Sequence, residues 1–289
     1  MLNDHFRRWP RRRTICAGAF LLGVAGVVAW ITSLLANRLE LQAYWEPFKE
    51  SRHNFAREWS ELRNLKPAKA SAVYRQREFE VFLPSPQTSV GEPWELDGSR
   101  LLPFLKQFHP GATVELHHGS GSAAGAFACL RARNDRFDEI AFRVHAEFVM
   151  SDGQSFYTPA QFSGTLLFDR IARRVKRFHF YLPPRNTNID VNRFFPIALV
   201  GDQQLEQVSA VDVGYSPRME LVGGDDQFDE IVWTESVSYD DANARLARRF
   251  YQFLEVRWRP WDEAVAESRS TGKPIHVVVL LGTLDDESC

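Results

Sequence analysis

Hydrophobic and polar positions change their rhythm four times along this chain. From Thr14 to Ala36 the run TICAGAFLLGVAGVVAWITSLLA holds 23 residues without a charge. At about 1.5 Å rise per residue a helix of that length crosses a roughly 30 Å hydrocarbon core. Residues 37–68 follow, where LELQAYWEPFKESRHNFAREWSEL mixes aromatic and charged positions and predicts a stalk helix that Lys66, Pro67 and Ala68 end. Residues 69–237 then alternate in short segments, among them REFEVFLP, ATVELHH, GAFACLRAR, EIAFRVHAEFVM, FSGTLLFD, VKRFHFYLP, VSAVDVGYSPRMEL and DEIVWTESV. Turn residues such as Ser151-Asp152-Gly153 and Gly223-Gly224-Asp225-Asp226 separate them, so this part predicts a large, mainly antiparallel β domain built from hairpins.

From residue 238 the period becomes helical. Ser238 with Asp241 three positions later marks a helix start before YDDANARLARRFYQFLEV, and Pro260 opens a second helix that Gly272 closes. Ile275 to Leu281 (IHVVVLL) is a continuous aliphatic run, as expected of a strand buried on both faces. Residues 238–289 thus predict the start of a thioredoxin-like α/β unit, and the fold class is α+β. Such a fold places its redox residues in the loop leaving the first central strand, where the next helix's N-terminus stabilises a thiolate. Gly282 to Cys289 (GTLDDESC) occupies that position.

Charge refines the membrane reading. Arg7, Arg8, Arg11, Arg12 and Arg13 crowd the basic N-terminus, residues 1–13, whereas the whole chain carries a formal charge of -2. The bias places the N-terminus in the cytoplasm and everything after the span across the membrane, in periplasm or endoplasmic reticulum lumen. The rival, a cleaved signal peptide, fits less well, because the apolar run is long and Leu34 with Ala36 makes a poor cleavage site. The arginine run also invites a twin-arginine signal, but Thr14, Ile15 and Cys16 fit that pattern poorly. The acidic remainder argues against a nucleic-acid partner.

Cys16, Cys129 and Cys289 are too far apart for a CxxC pair or a zinc knuckle. Cys16 in an apolar run and Cys129 in an apparent strand read as small buried hydrophobes. His117-His118 would point to opposite faces of a strand, so no metal site is expected. Gly119-Ser120-Gly121-Ser122 lacks the lysine of a phosphate-binding loop, and no G-x-S-x-G surrounds Ser163-Gly164. No metal or separate organic cofactor is implied.

Four segments resemble the selenoprotein N family: FYTPAQFSGTLLFD, RFHFYLPPRNTNIDVN, VDVGYSPRMEL and WDEAVAESRSTGKPIHVVVLLGTLDDESC. In that family a Ser-Cys is followed directly by selenocysteine, which UGA encodes. The resemblance implies that selenocysteine follows Cys289, that the sequence breaks off at a recoded UGA, and that a thioredoxin-like domain continues beyond. It further implies a thiol or selenol oxidoreductase in which selenocysteine attacks a protein disulfide or a peroxide and Cys289, preceded by Ser288, resolves the adduct. Asp285, Asp286 and Glu287 would raise the pKa of Cys289, which favours selenol as nucleophile and thiol as resolver. Cys289 alone would give no turnover. No D-x-[DN]-x-[DN]-G-x₅-E loop is present, so the EF-hand of the family's animal members has no counterpart, and no Asn-x-Ser/Thr acceptor is present either. Together with the anchor's composition this leans towards a bacterial-type homologue. Expected partners are membrane lipid, through the one helix, the disulfide or peroxide substrate, and a second copy of the chain in a homodimer. The alternative function is an anchored scaffold in which FHFYLPPR and Tyr215-Ser216-Pro217-Arg218-Met219-Glu220 present a binding surface and the redox unit only regulates.

Overall fold

The computed structural model describes residues 38–47, 49–50, 61–62, 66–114, 125–158, 161–183, 188–200, 203–225, 231–250 and 257–277. The expected span, residues 14–36, lies outside them. Among the described residues no helix is long and apolar enough to cross a membrane.

Fourteen strands form one hydrogen-bonded system, every pairing with a described register being antiparallel. In chain order they are β1 (Arg38–Trp45), β2 (Lys49–Glu50), β3 (Ser71–Arg75), β4 (Pro93–Glu95), β5 (Ala112–Val114), β6 (Ala126–Arg133), β7 (Phe137–Val149), β8 (Ser155–Thr158), β9 (Gln161–Asp169), β10 (Arg174–Tyr181), β11 (Asn188–Val200), β12 (Gln203–Tyr215), β13 (Met219–Gly224) and β14 (Glu235–Ser236). The helices are α1 (Gln76–Phe79), α2 (Gly98–Phe108), α3 (Tyr239–Phe250) and α4 (Trp261–Thr271). The main path runs β2-β12-β11-β8-β7-β9-β10-β13-β1-β3. β7 is the hinge of the layout. Its first half pairs with β6 and β9, and its last four residues pair with β5 and β8, so one strand belongs to two sheets.

The expected mainly antiparallel β domain is present. Strand alternation explains why both sheet faces are filled. On β6 and β7, Ala128, Leu130, Ile140, Phe142 and Val144 face the main core, and Phe127, Cys129 and Ala141 face α3. α2 lies on the core side and buries Leu101, Phe104, Leu105 and Phe108 to 2% exposure or less. Phe104 stacks on Tyr74 at 4.6 Å and meets Phe178 at 5.4 Å, while Phe108 lies 5.6 Å from Phe162. On the other face α3 buries Ala242, Leu246 and Phe250.

Three local expectations are corrected. No stalk helix begins at residue 37: Arg38–Trp45 is strand β1, which pairs Gln42 with Val222 and Trp45 with Met219 on β13. The reason is a period of two in LELQAYW, which turns Leu41, Ala43 and Trp45 into the core. REFEVFLP is not a strand but α1 followed by a 3-10 turn at Glu80–Phe82; Phe79 and Phe82, three apart, share one buried side. Ile275 and Val277, expected inside a buried strand, lie in irregular backbone and are 36% and 62% exposed. The neighbouring α4 buries none of its own residues.

Candidate functional site

Ser288 and Cys289, the residues expected to carry redox chemistry, lie outside the described residues, as do Cys16 and His117-His118. The approach to them is described as far as Val277. Ser238 caps α3 as expected: its hydroxyl accepts the Asp241 N–H at 3.0 Å and donates to the Asp241 carboxylate at 2.9 Å. Pro260 precedes α4, and Gly272 ends it in the left-handed conformation that glycine adopts without strain. A cleft of about 280 Å³ runs along α4, lined by Trp258, Arg259, Glu267, Lys273, Ile275 and His276. Arg259 reaches Glu263 and Glu267, each at 3.6 Å, so this surface is an ion-paired one.

Cys129 is where its sequence placed it, inside a strand and fully buried. Burial pushes its thiol up to about 11, against a smaller opposing effect of Arg245. A neutral thiol shut behind α3 is neither nucleophile nor resolver. Among the described residues, no group of three His, Cys, Asp or Glu side chains could hold a metal ion.

The side chains that α3 covers include a buried ionic cluster that the sequence did not announce. Glu139 on β7 binds Arg131 on β6, accepts a 2.7 Å hydrogen bond from the Tyr239 hydroxyl of α3, and lies 3.3 Å from Arg177 on β10. The guanidinium of Arg131 sits 4.6 Å from the Tyr239 ring centre and 5.3 Å from that of Trp233. Burial and then the Glu139 charge raise the Tyr239 phenol well above its ordinary value, so it stays a donor. This cluster ties α3 to three strands. Glu139 lies at its buried centre, while Tyr239 and the Arg177 side chain remain 43% and 37% exposed at its rim.

Beyond α3, on the outer face, two of the segments on which the sequence resemblance rests meet as neighbours. β10 and β13 pair Tyr181 with Glu220 and His179 with Val222. Alternation sends Phe178, Phe180, Met219 and Leu221 into the core and His179, Tyr181 and Glu220 outward. The His179 Nε2 lies 2.9 Å from the Glu220 carboxylate, which also receives the Arg218 Nε at 2.6 Å. Arg218 covers the Tyr44 ring of β1 at 4.3 Å, and His179 stacks on Tyr181 at 4.4 Å. Burial alone would raise the Glu220 carboxyl, but bonds from His179 and Arg218 outweigh it and hold it below the usual carboxylate range. Of FHFYLPPR the described part, Phe178 to Pro183, and the Tyr215–Glu220 stretch are therefore both core and surface, residue by residue.

No protein-family model matches the chain, and no solved structure matches it. Among curated proteins, selenoprotein N of Danio rerio is 32% identical over 283 aligned residues, 80% of this chain. The human and Mus musculus proteins of the same name are 30% and 29% identical, each over 285 aligned residues and again 80% of the chain. This chain is selenoprotein N-like. It spans about half the length of these selenoprotein N relatives, 50%, 47% and 50% respectively. The likeness agrees with the resemblance read from the four segments. The outer-face cluster was legible only in part: the alternation of apolar and polar residues in RFHFY and in MEL marks which side chains face out, but not that they face one another.

Proposed function

We propose that this chain is the membrane-anchored front part of a selenoprotein N-like thiol or selenol oxidoreductase, in which Cys289 is the resolving thiol and selenocysteine follows it. The observation that carries the reading is the likeness to selenoproteins over 80% of the chain. The burial of Cys129 supports it by removing the described thiol from the chemistry.

In this reading the selenolate attacks one sulfur of a substrate disulfide, forming a selenium–sulfur bond and expelling the other sulfur as a thiolate that takes up a proton. The Cys289 thiolate then attacks selenium, forms the Cys289–selenocysteine bond and releases the second substrate sulfur as a thiol. Two electrons pass from the pair to the substrate, and an external thiol must return them before another cycle. With a peroxide, the first step makes a selenium–oxygen bond and releases the alcohol or water. Ser288 stands beside the pair, and Asp285, Asp286 and Glu287 keep Cys289 from competing as the nucleophile.

The decisive experiment is a thiol-driven disulfide and peroxide reduction assay on the protein carrying selenocysteine after Cys289, on its Cys289→Ser variant, and on the 289-residue form. Turnover is expected from the first alone. Multiple turnover by the 289-residue form, or undiminished turnover after Cys289→Ser, would overturn the assignment.

A scaffold reading is favoured by one observation, the open His179–Glu220–Arg218–Tyr44 surface. Cysteine trapping separates the two. Covalent adducts that depend on residue 289 or the next support catalysis, whereas capture that survives their replacement and fails on Glu220→Lys supports a scaffold.

A further inference from the structure

We infer that the end of the sheet where β1 begins rests on the phospholipid surface, with the tip of the β9–β10 hairpin as its contact. The inference rests on the anchoring reading above, and chain reach carries it. Only Asn37 separates the expected span, residues 14–36, from β1 at Arg38. Two residues reach about 7 Å. β1 cannot lift away as a tether would, because Leu41 is fully buried and Gln42, Ala43, Tyr44 and Trp45 are paired along β13. A body held by one of its own strands lies against the bilayer at that strand's first end.

The strand registers identify what else stands at that end. β1 runs antiparallel to β13, so its start lies beside the Gly224 end; Gly224 pairs with Arg177, and Arg174 at the start of β10 pairs with Asp169 at the end of β9. With strands about 4.8 Å apart, the tip joining β9 to β10 lies roughly 10–15 Å to the side of β1. That tip is Arg170-Ile171-Ala172-Arg173, all four exposed. Ile171 is 74% exposed, and Val232, whose carbonyl accepts the Asn134 side-chain N–H at 2.9 Å, is 83% exposed. Asn134 in turn accepts from Arg170 at 3.1 Å, so the two most exposed aliphatic side chains among the described residues flank one asparagine at this end.

The charges suit phosphate. Arg136 and Arg170 take their carboxylate partners from below, since Asp169 is fully buried and the Asp138 side chain is 6% exposed. Their side chains are nevertheless 57% and 42% exposed, and the exposed Arg173 adds a third cation. Asp135 also stands here, and Asp225 is paired with Lys176, so the surface is not a uniform basic field. An aliphatic residue set between arginines suits the boundary of headgroup and acyl chain, where phosphate and hydrocarbon lie within one side chain's length of each other.

The test uses the full chain in phospholipid nanodiscs. A nitroxide is placed at Ile171→Cys, or at Gln154→Cys in the turn after β7, with Cys16→Ser and Cys289→Ser in both and the buried Cys129 left in place. Gln154 is exposed and belongs to the far end, about 40 Å along the 13-residue β7. Collision with an aqueous nickel chelate is expected to be several-fold lower at 171 than at 154, and collision with lipid-soluble oxygen higher. Adding Arg173→Glu is expected to raise nickel access at 171. Equal nickel access at the two sites in a chain that still resists carbonate extraction overturns the docking and leaves the anchor standing. A chain that carbonate extracts overturns both.

Discussion

Gly164 shows how one side chain's absence positions others. A Cβ at this residue would run into the Phe142 ring and lie 2.8 Å from the His179 carbonyl oxygen, so β9 can pass beneath Phe142 only as glycine. Gly164→Ala is expected to cost about 2 kcal/mol by overpacking, read from urea unfolding. The sequence offered Ser163-Gly164 as a place to look for a nucleophile elbow, whereas its use is steric. Glu139 is the opposite case, a charge that its partners keep inside. Its replacement by alanine leaves Arg131 buried with the Tyr239 hydroxyl unserved, at an expected cost of about 3 kcal/mol. Replacing Arg131 and Glu139 together by methionine and leucine should return much of that loss, measured by the same unfolding.

Among the elements, α2 matters most and was the least visible in the sequence. Asp97 caps it by accepting the Ser99 N–H at 3.0 Å, and the buried Leu101, Phe104, Leu105 and Phe108 keep helical spacing. Pro103 within that run hides the periodicity, although the helix accommodates it. Phe104→Ala is expected to destabilise by about 4 kcal/mol, because Tyr74, Phe79, Phe82 and Phe178 all lose a ring contact. β1 was legible in principle, since LELQAYW alternates. Set in a longer window of aromatic and charged residues it reads as a helix, and only its sheet neighbours β13 and β3 decide between the two. The hairpins β6–β7 and β9–β10 needed no such partner, so alternation and turn residues revealed them directly. Cys289 and its surroundings lie outside the described residues, and their reading rests on the order of helix, glycine and apolar run together with the sequence resemblance.

The β9–β10 turn carries a pH dependence of its own. Burial would raise the Asp169 carboxyl, but N–H groups of Ala172 and Ile171 and the Arg136 guanidinium outweigh it and hold it below the usual range. The unfolded chain therefore binds this proton more readily than the native one. The stabilisation is complete above the ordinary carboxylate value of about 4 and is lost as pH falls through the lower native value. Asp169→Asn is expected to be less stable at neutral pH and to show a flatter acid limb in unfolding scans.

For the whole molecule, β7 decides how stability is shared. One strand hydrogen-bonded to β6 and β9 along its first half and to β5 and β8 along its last residues leaves no seam at which one sheet can melt alone. Far-UV circular dichroism and tryptophan fluorescence should therefore give coincident urea transitions; separate midpoints would show that the two sheets are independent. Phe127, Cys129 and Ala141 of β6 and β7 pack against α3, whereas the outward residues of β10 and β13, among them His179, Tyr181 and Glu220, are half-buried.

The pairing of Gln42 with Val222 also sets an order of assembly. β1 is among the first segments of the β domain to be synthesised, yet its partner β13 comes only after most of that domain. At 5–20 residues per second that wait lasts on the order of ten seconds. Throughout it β1 has only β3, close behind it in sequence, as a neighbour, and the side that carries its β13 pairing stays unmatched. The β10–β13 side of the sheet is completed late and must then receive the β1–β3 pair. The last step of assembly is thus the closing of β13 onto a pair made long before it, and a holding chaperone has its longest opportunity there.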